Sequence, residues 1–293
     1  MPEVAEILRK VQRIQIVANR SVDDLMAGQY RSVFRGRGME FDEVREYQPG
    51  DDIRTIDWNV TARAGVPFIK RFCEERELTI LFLVDVSASG VFGSVNQSKL
   101  ETMVEIAALL MFSALRNNDK VGLHLFADEI VACYPPRKSK GNVLRLLREM
   151  IAAKPVAAET NLEGALEYLT RVQKRRAVVF VISDFQSEVS RNALSMSNGR
   201  HDLVAITISD PREESFPNVG FIRLQDAETG QIVEVDTGNE HIRQLFQQQA
   251  RRNAETLSAN LRRAGVDQLP VSTREPYTTS LRKFFAAREK RNR

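Results

Sequence analysis

A short, almost wholly apolar run that ends in a cluster of side-chain oxygens most constrains how this chain can fold. Residues 78–84 read Leu-Thr-Ile-Leu-Phe-Leu-Val, and charged residues precede them at 74–77. A run this short that is apolar on both faces predicts a strand buried in the middle of a parallel sheet. It is too short to cross a membrane, because a spanning helix takes about 20 apolar residues.

Three residues with side-chain oxygens follow this strand at a spacing of two: Asp85, Ser87 and Ser89. One carboxylate and two hydroxyls in a turn can share a small hard cation such as Mg²⁺, which takes oxygen ligands at roughly 2.0–2.1 Å. Ligands on a single loop fill only part of an octahedral shell. The remaining protein ligands must therefore come from elsewhere in the chain.

Beyond residue 77, strands alternate with helices. Predicted strands cover 78–84, 120–126, 130–134, 177–183 and 203–208, a hairpin covers 221–224 and 232–235, and predicted helices cover 98–116, 142–151, 162–172, 192–197 and 242–263. This alternation predicts an α/β fold with a doubly wound, mostly parallel, Rossmann-like sheet and helices on both faces.

The first 76 residues follow a different pattern. Apolar residues between Val4 and Ala18 recur at steps of three or four, which predicts an amphipathic helix, and residues 21–24 resemble a capping box for a second. Predicted strands at 30–34, 41–47 and 67–72 form a small β-rich appendage. We therefore expect an N-terminal part at 1–76, the α/β domain at 77–237 and a C-terminal helical extension at 238–293.

We call the turn that carries Asp85, Ser87 and Ser89 the serine loop. Two further residues with side-chain oxygens can join it. Thr160 immediately precedes a predicted helix, and Asp184 follows the apolar strand at 177–183. Ligands of open doubly wound sheets bind at the carboxyl ends of the strands, so Asp85 and Asp184 lie side by side if their strands are neighbours. A divalent cation relieves the repulsion between two close carboxylates.

The sequence thus predicts a site for Mg²⁺ or Mn²⁺ with at least one coordination position left open. Its ligands are Asp85, Ser87, Ser89, Thr160 and Asp184. Each residue alone has a structural alternative: Thr160 as a helix N-cap, Asp184 as a turn cap, and the serines as turn residues.

Composition excludes several classes of function. A formal net charge of +3 on 293 residues is too mild to indicate nucleic-acid binding, and no nucleic-acid module is recognisable. The sequence shows no signal peptide and no apolar segment of transmembrane length, so we expect a cytoplasmic protein. Two cysteines, Cys73 and Cys133, are too few for a disulfide scaffold and are expected to be buried thiols.

The predicted ligand set resembles the metal-ion-dependent adhesion site of von Willebrand factor A-type domains. In that family the first Asp and two Ser follow the first strand, the Thr comes from a mid-domain loop, and the last Asp follows the fourth strand. Asp85, Ser87, Ser89, Thr160 and Asp184 match these five positions. The resemblance covers about 77–237 and implies a Rossmann-like sheet with one antiparallel edge strand.

A second resemblance covers most of the chain. It rests on Gly-Met-Glu-Phe at 38–41, Val-Arg-Glu-Tyr at 44–47, Pro-Gly-Asp-Asp-Ile-Arg at 49–54, Ile-Asp-Trp at 56–58, Ala-Arg at 62–63, Ser-Asp-Phe at 183–185 and Asp-Pro-Arg-Glu at 210–213. These motifs are similar to the bacterial family called domain of unknown function 58. The resemblance implies a partnership with MoxR-type AAA+ ATPases, beside which members are often encoded.

The charged residues of 45–63 carry both signs within one short segment. We expect them to form an internal network of ion pairs and turns that attaches the appendage to the sheet. Trp58, the only Trp, is expected to anchor that junction.

Two functions fit these observations. The first is a non-enzymatic adaptor whose cation recruits an acidic group of a partner protein. The second is a Mg²⁺-dependent phosphoester hydrolase that uses the same aspartates. Against the hydrolase, Ser87 stands where an Asp-x-Asp motif needs its second carboxylate, and no Lys is evident beside the aspartates. No ATP-binding P-loop, zinc-protease or nucleophile-elbow motif is present. A third possibility is a purely structural domain that binds no cation.

Overall fold

A computed structural model of the chain describes residues 12–14, 40–73, 77–94, 97–156, 160–225 and 230–292. The chain divides into two compact units: one is Phe34–Leu78, and the other is Thr79–Arg293 together with Met1–Val33. Residues 12–14 are helical. The remainder of the helix expected between Val4 and Ala18, the second N-terminal helix and the strand at 30–34 lie outside the described residues.

The smaller unit is a two-stranded antiparallel sheet with a short helix between its strands. These elements are β1 (Glu40–Glu46), α1 (Trp58–Ala64) and β2 (Phe68–Cys73). Asp57 begins α1 by accepting hydrogen bonds from two first-turn backbone N–H groups, and Gly65 ends it in the left-handed conformation, at φ 76°. The strands agree with the predicted pair. The α1 residues lie within the charged segment that was expected to form ion pairs and turns, so this helix was not predicted.

Ion pairs hold the charged segment together within this smaller unit. Arg45 contacts Asp51 at 2.7 Å, and Lys70 contacts Asp57 at 3.3 Å. The hydrogen bond from Arg45 is the main reason why the pKa of Asp51 lies below its ordinary value. Trp58 is 69% exposed, and its expected role as an anchor of the junction stays a prediction. A seven-residue helix beside a two-stranded sheet offers no second layer that could cover the indole.

The larger unit is built on a six-stranded sheet. The strands of the whole larger unit are β3 (Thr79–Asp85), β4 (Lys120–Phe126), β5 (Ile130–Arg137), β6 (Val178–Ser183), β7 (Asp202–Ser209), β8 (Phe221–Gln225), β9 (Ile232–Asp236) and β10 (Asp267–Ser272). The order across the sheet is β10-β7-β6-β3-β4-β5, and β8 and β9 form a separate hairpin. Neighbouring strands of the sheet are parallel except for β4 and β5, which confirms the mostly parallel sheet with one antiparallel edge.

Helices cover both faces of this sheet. They are α2 (Lys99–Arg116), α3 (Lys140–Ala152), α4 (Leu162–Val172), α5 (Arg191–Arg200), α6 (Pro211–Glu214), α7 (Glu240–Arg263) and α8 (Tyr277–Asn292). Leu81 and Leu83 of β3 pack into a core cluster with α4, α5 and α7. The alternate residues Ile80 and Phe82 are equally buried and point to the opposite face. Strand β3 is therefore the fully enclosed central strand that its sequence predicts.

The C-terminal segment differs from the expectation. Strand β10 pairs in parallel with β7 and forms one edge of the sheet, so the segment expected to be a helical extension at 238–293 also completes the sheet. Pro270 argues against a strand in the sequence, but an edge strand tolerates a residue that donates no hydrogen bond. Leu281 and Phe285 of α8 are fully buried, and the compact unit extends to Arg293.

Two further observations concern exposure. Cys133 is an exposed free thiol, contrary to the expectation that it is buried, because it lies on the edge strand β5 where alternate residues face solvent. Among the helices of the described ranges, none combines the length and the apolar composition that crossing a membrane requires.

Candidate metal centre

Two of the predicted ligands, Asp85 and Asp184, lie at the carboxyl ends of adjacent strands. Strands β3 and β6 pair in parallel, with Val84 opposite Ile182. Asp85 ends β3, and Asp184 directly follows the end of β6. The two carboxylates therefore leave neighbouring strands at the same edge of the sheet, as the sequence analysis expected for neighbouring strands.

Asp85 is a buried carboxylate whose two oxygens are both held in place. Its Oδ1 accepts a hydrogen bond from the Ser87 backbone N–H at 2.9 Å, and its Oδ2 accepts one from the Ser183 hydroxyl at 2.7 Å. Only 2% of Asp85 is exposed. Burial raises the pKa of Asp85, the hydrogen bonds from Ser183 and Ser87 oppose that shift, and the charge of Asp184 adds to it. A cation beside this carboxylate would stabilise its charged form.

The serine loop has a spacing that suits a small cation. The hydroxyl oxygens of Ser87 and Ser89 lie 2.9 Å apart. Two adjacent ligands of an octahedral ion, each bound at roughly 2.0–2.1 Å, are separated by about 2.8–3.0 Å. Backbone hydrogen bonds from Ala88 to Val156 and from Val156 to Val86, at 2.9 and 3.0 Å, fix the loop. The two hydroxyls thus hydrogen-bond to each other, at a separation that also equals one edge of a Mg²⁺ octahedron.

Asp184 carries an unexpected partner. Lys99, the first residue of α2, donates from Nζ to Asp184 Oδ2 at 2.6 Å and to Glu213 Oε1 at 2.5 Å. The other oxygen of Asp184 accepts a longer hydrogen bond, 3.3 Å, from the Gln186 backbone N–H. The expectation that no Lys stands beside the aspartates is therefore wrong.

Lys99 is 0% exposed, so its charge is held entirely by these contacts. Burial alone would lower the pKa of Lys99, but the carboxylates of Asp184 and Glu213 outweigh burial and raise it above its ordinary value. The pKa of Glu213 is also raised, because the upward effect of its burial exceeds the downward effect of its contact with Lys99. Lys99 is consequently a fixed ammonium ion next to the candidate site.

Thr160 is buried and lies two residues before the start of α4. The next residue, Asn161, caps α4 by accepting a hydrogen bond from a first-turn backbone N–H, so the alternative that Thr160 is the N-cap is wrong. The Asn161 backbone N–H donates to the Ala127 carbonyl just beyond β4 at 2.8 Å. Earlier in the same segment, Val156 forms a bridge with Ser87.

The motif at 210–213 positions Glu213, the second carboxylate that contacts Lys99. Asp210 is fully buried and accepts hydrogen bonds from the Ser94 hydroxyl, from the Ser94 backbone N–H at 3.0 Å and from the Thr273 hydroxyl at 2.8 Å. Burial raises its pKa, but these hydrogen bonds outweigh burial and lower it. The Asp210 backbone N–H in turn donates to Glu213 at 3.0 Å, which orients that carboxylate toward Lys99.

The predicted ligands carry the donor atoms that a hard divalent cation binds. Carboxylate and hydroxyl oxygens suit Mg²⁺ and Mn²⁺ better than metals that favour sulfur or imidazole ligands. In the part of the chain that the structure describes, no group of three or more His, Cys, Asp or Glu side chains is arranged to hold a metal. The oxygen donors of Asp85, Ser87 and Ser89 are of the type that a small hard cation binds.

The fold and the position of the serine loop define a von Willebrand factor A-like domain. Within that class, the chain belongs to the family described as Protein of unknown function DUF58, whose model matches residues 43–256. The uncharacterized protein Rv1480 of Mycobacterium tuberculosis is 29% identical over 292 residues, which cover 99% of this chain and 91% of the relative. The uncharacterized protein YeaD of Bacillus subtilis is 25% identical over 62% of this chain and 43% of the relative.

Two solved structures are similar to this chain at low identity. BatB from Bacteroides thetaiotaomicron is 17% identical with a TM-score of 0.45, and the match covers 73% of this chain and 99% of that chain. The VWA domain of SpRpn10 is 11% identical with a TM-score of 0.39, covering 70% of this chain and 94% of that chain. At these identities the solved structures bear on the fold alone.

Proposed function

We propose that this protein is a non-enzymatic adaptor whose divalent-cation site recruits an acidic group of a partner protein. The observation that carries the proposal is the pair of hydroxyls 2.9 Å apart beside the buried carboxylate of Asp85. Asp85, Ser87 and Ser89 hold the ion from one loop, with Asp184 and Thr160 as the further ligands. Bound Mg²⁺ or Mn²⁺ supplies an open coordination position for a carboxylate oxygen.

The protein's own residues prepare this position. The Ser183 hydroxyl and the Ser87 backbone N–H hold Asp85 in one orientation. The serine loop directly follows β3, a buried central strand of the sheet. Lys99 offsets part of the negative charge nearby. An incoming anionic side chain therefore meets a site without a large surplus of negative charge.

A phosphoester hydrolase with the same aspartates is the alternative, favoured by two carboxylates on neighbouring strand ends. Lys99 does not strengthen it, because its ammonium group is buried and donates to Asp184 and Glu213 instead of facing a substrate. The adaptor is therefore the function that we propose.

The partner that we propose is a MoxR-type AAA+ ATPase, the partnership that the family resemblance implies, and the proposed location is the cytoplasm. Support comes from membership of the family matched over residues 43–256. In this proposal the ATPase supplies the nucleotide hydrolysis for which this chain has no P-loop sequence.

Affinity capture of a purified MoxR-type ATPase tests the proposal. The tagged protein should retain the ATPase in Mg²⁺ and release it in EDTA, and Asp85→Ala should retain none in either condition. Glu255→Gln, which removes one carboxylate from an exposed position of α7, is the matched control and should behave as wild type. Circular dichroism establishes that each variant is folded.

Two outcomes contradict the adaptor. One is capture that neither EDTA nor Asp85→Ala reduces. The other is metal-dependent turnover of a phosphoester by the wild type that disappears in Asp85→Ala, which would assign the hydrolase instead.

A further inference from the structure

Lys99 lies beside the candidate site but is not one of its predicted ligands. Its side chain crosses from the start of α2 to two carboxylates that lie 85 and 114 residues away in sequence. It is fully buried although α2 is anchored independently by the Ser98 capping box. A buried ammonium is costly unless its charge is matched, so its position beside Asp184 calls for an explanation.

The explanation lies in the net charge that a cation would meet. Asp85, Asp184 and Glu213 are three carboxylates, and Lys99 is the one ammonium that contacts two of them. With all four groups ionised, the cluster carries two negative charges, which one divalent cation balances. Charges act strongly on one another in a buried cluster because little water screens them.

We propose that Lys99 is a built-in counter-cation that matches the metal site to a divalent ion and sets its affinity. Lys99 neutralises the charge that Glu213 adds, and it engages Asp184 Oδ2 so that this carboxylate is shared between the ammonium and the site. Lys99 is thus a specificity-determining residue that acts through Asp184 without touching the cation. This inference rests on the proposed metal site.

Calorimetric titration of the full chain with Mn²⁺ and with La³⁺ tests the inference through four proteins. Lys99→Met adds one net negative charge, so it should bind Mn²⁺ about tenfold more tightly or better, with a larger gain for La³⁺. Glu213→Gln removes one, so it should bind Mn²⁺ about tenfold more weakly or worse. The double variant Lys99→Met/Glu213→Gln restores the wild-type charge, and its affinity should lie within about threefold of wild type.

The comparison separates a charge role from a structural one. A structural role predicts that both single variants weaken Mn²⁺ binding and that the double variant is weaker still, and this pattern overturns the inference. If Lys99→Met does not fold, Glu213→Gln and the double variant still decide, because they differ only in the Lys99 ammonium. Recovery of affinity in the double variant supports the inference, and no recovery refutes it.

Failure of the inference is distinguishable from failure of the proposed function. If the wild type binds neither Mn²⁺ nor Mg²⁺, the metal site itself is refuted and the inference falls with it. If the wild type binds Mn²⁺ but the variants lack the opposite shifts, the adaptor proposal stands and Lys99 has no role in charge matching.

Discussion

Removal of the Lys99 charge should be among the most damaging single changes to the stability of the larger unit. Lys99→Met keeps most of the aliphatic stem but leaves Asp184 and Glu213 close together without their shared ammonium. Breaking a buried ion pair by removing one partner costs about 3–5 kcal/mol. In a unit of this size, each kcal/mol lowers Tm by about 2–4 °C, so the expected decrease in Tm is about 6–20 °C.

Urea unfolding followed by far-UV circular dichroism, in EDTA, measures this loss. Lys283→Met, at an exposed position of α8, is the matched control and should change the free energy of unfolding by less than about 0.5 kcal/mol. Lys99→Met/Glu213→Gln should be more stable than Lys99→Met, because it no longer buries the second carboxylate. A Lys99→Met protein as stable as the control would refute the reasoning that this ammonium is a buried counter-charge.

Three further changes test other parts of the fold. Phe285→Ala should lower the free energy of unfolding by about 3–5 kcal/mol, because Phe285 is fully buried; a loss below about 1 kcal/mol in urea unfolding would show that α8 is not integral to the unit. Burial lowers the pKa of His124 to about 4, so the unfolded state binds the extra proton and stability is lost as the pH falls from about 6.5 toward 4. Relative to His124→Leu, that loss should approach about 1.4 kcal/mol per pH unit, and a difference that does not change with pH would contradict it. Asn161→Ala should cost about 1 kcal/mol through loss of the α4 cap, whereas Asn161→Asp should be nearly neutral; equal losses in thermal unfolding would argue against the cap.

Strong local patterns made much of the α/β fold predictable. The predicted bounds of β4 and α4 agree with the structure, because the alternating Val and Leu residues of β4 and the well-spaced amphipathic face of α4 each have clear ends. The rule that ligands meet at the carboxyl edge of a doubly wound sheet placed Asp85 beside Asp184 only if their strands are neighbours, and the pairing of β3 with β6 meets that condition. The grouping of the serine-loop side chains was predictable from local sequence, because these residues lie within five positions of one another.

The parts that were missed depend on contacts between distant segments. A Lys that opens a helix gives no local sign of burial, and only the fold brings Lys99 to Asp184 and Glu213. Strand β10 was missed because it is short and contains Pro270, which only an edge position tolerates.

Anomalous diffraction from crystals grown with Mn²⁺ tests the central claim most directly, since it locates the ion relative to each ligand. The expected result is a single strong peak enclosed by oxygens of Asp85, Ser87, Ser89, Thr160 and Asp184, beside the Lys99 ammonium. A map without a peak at the serine loop, or one in which Thr160 or Asp184 lies beyond the reach of the ion, would contradict the claim that these residues form one cation site.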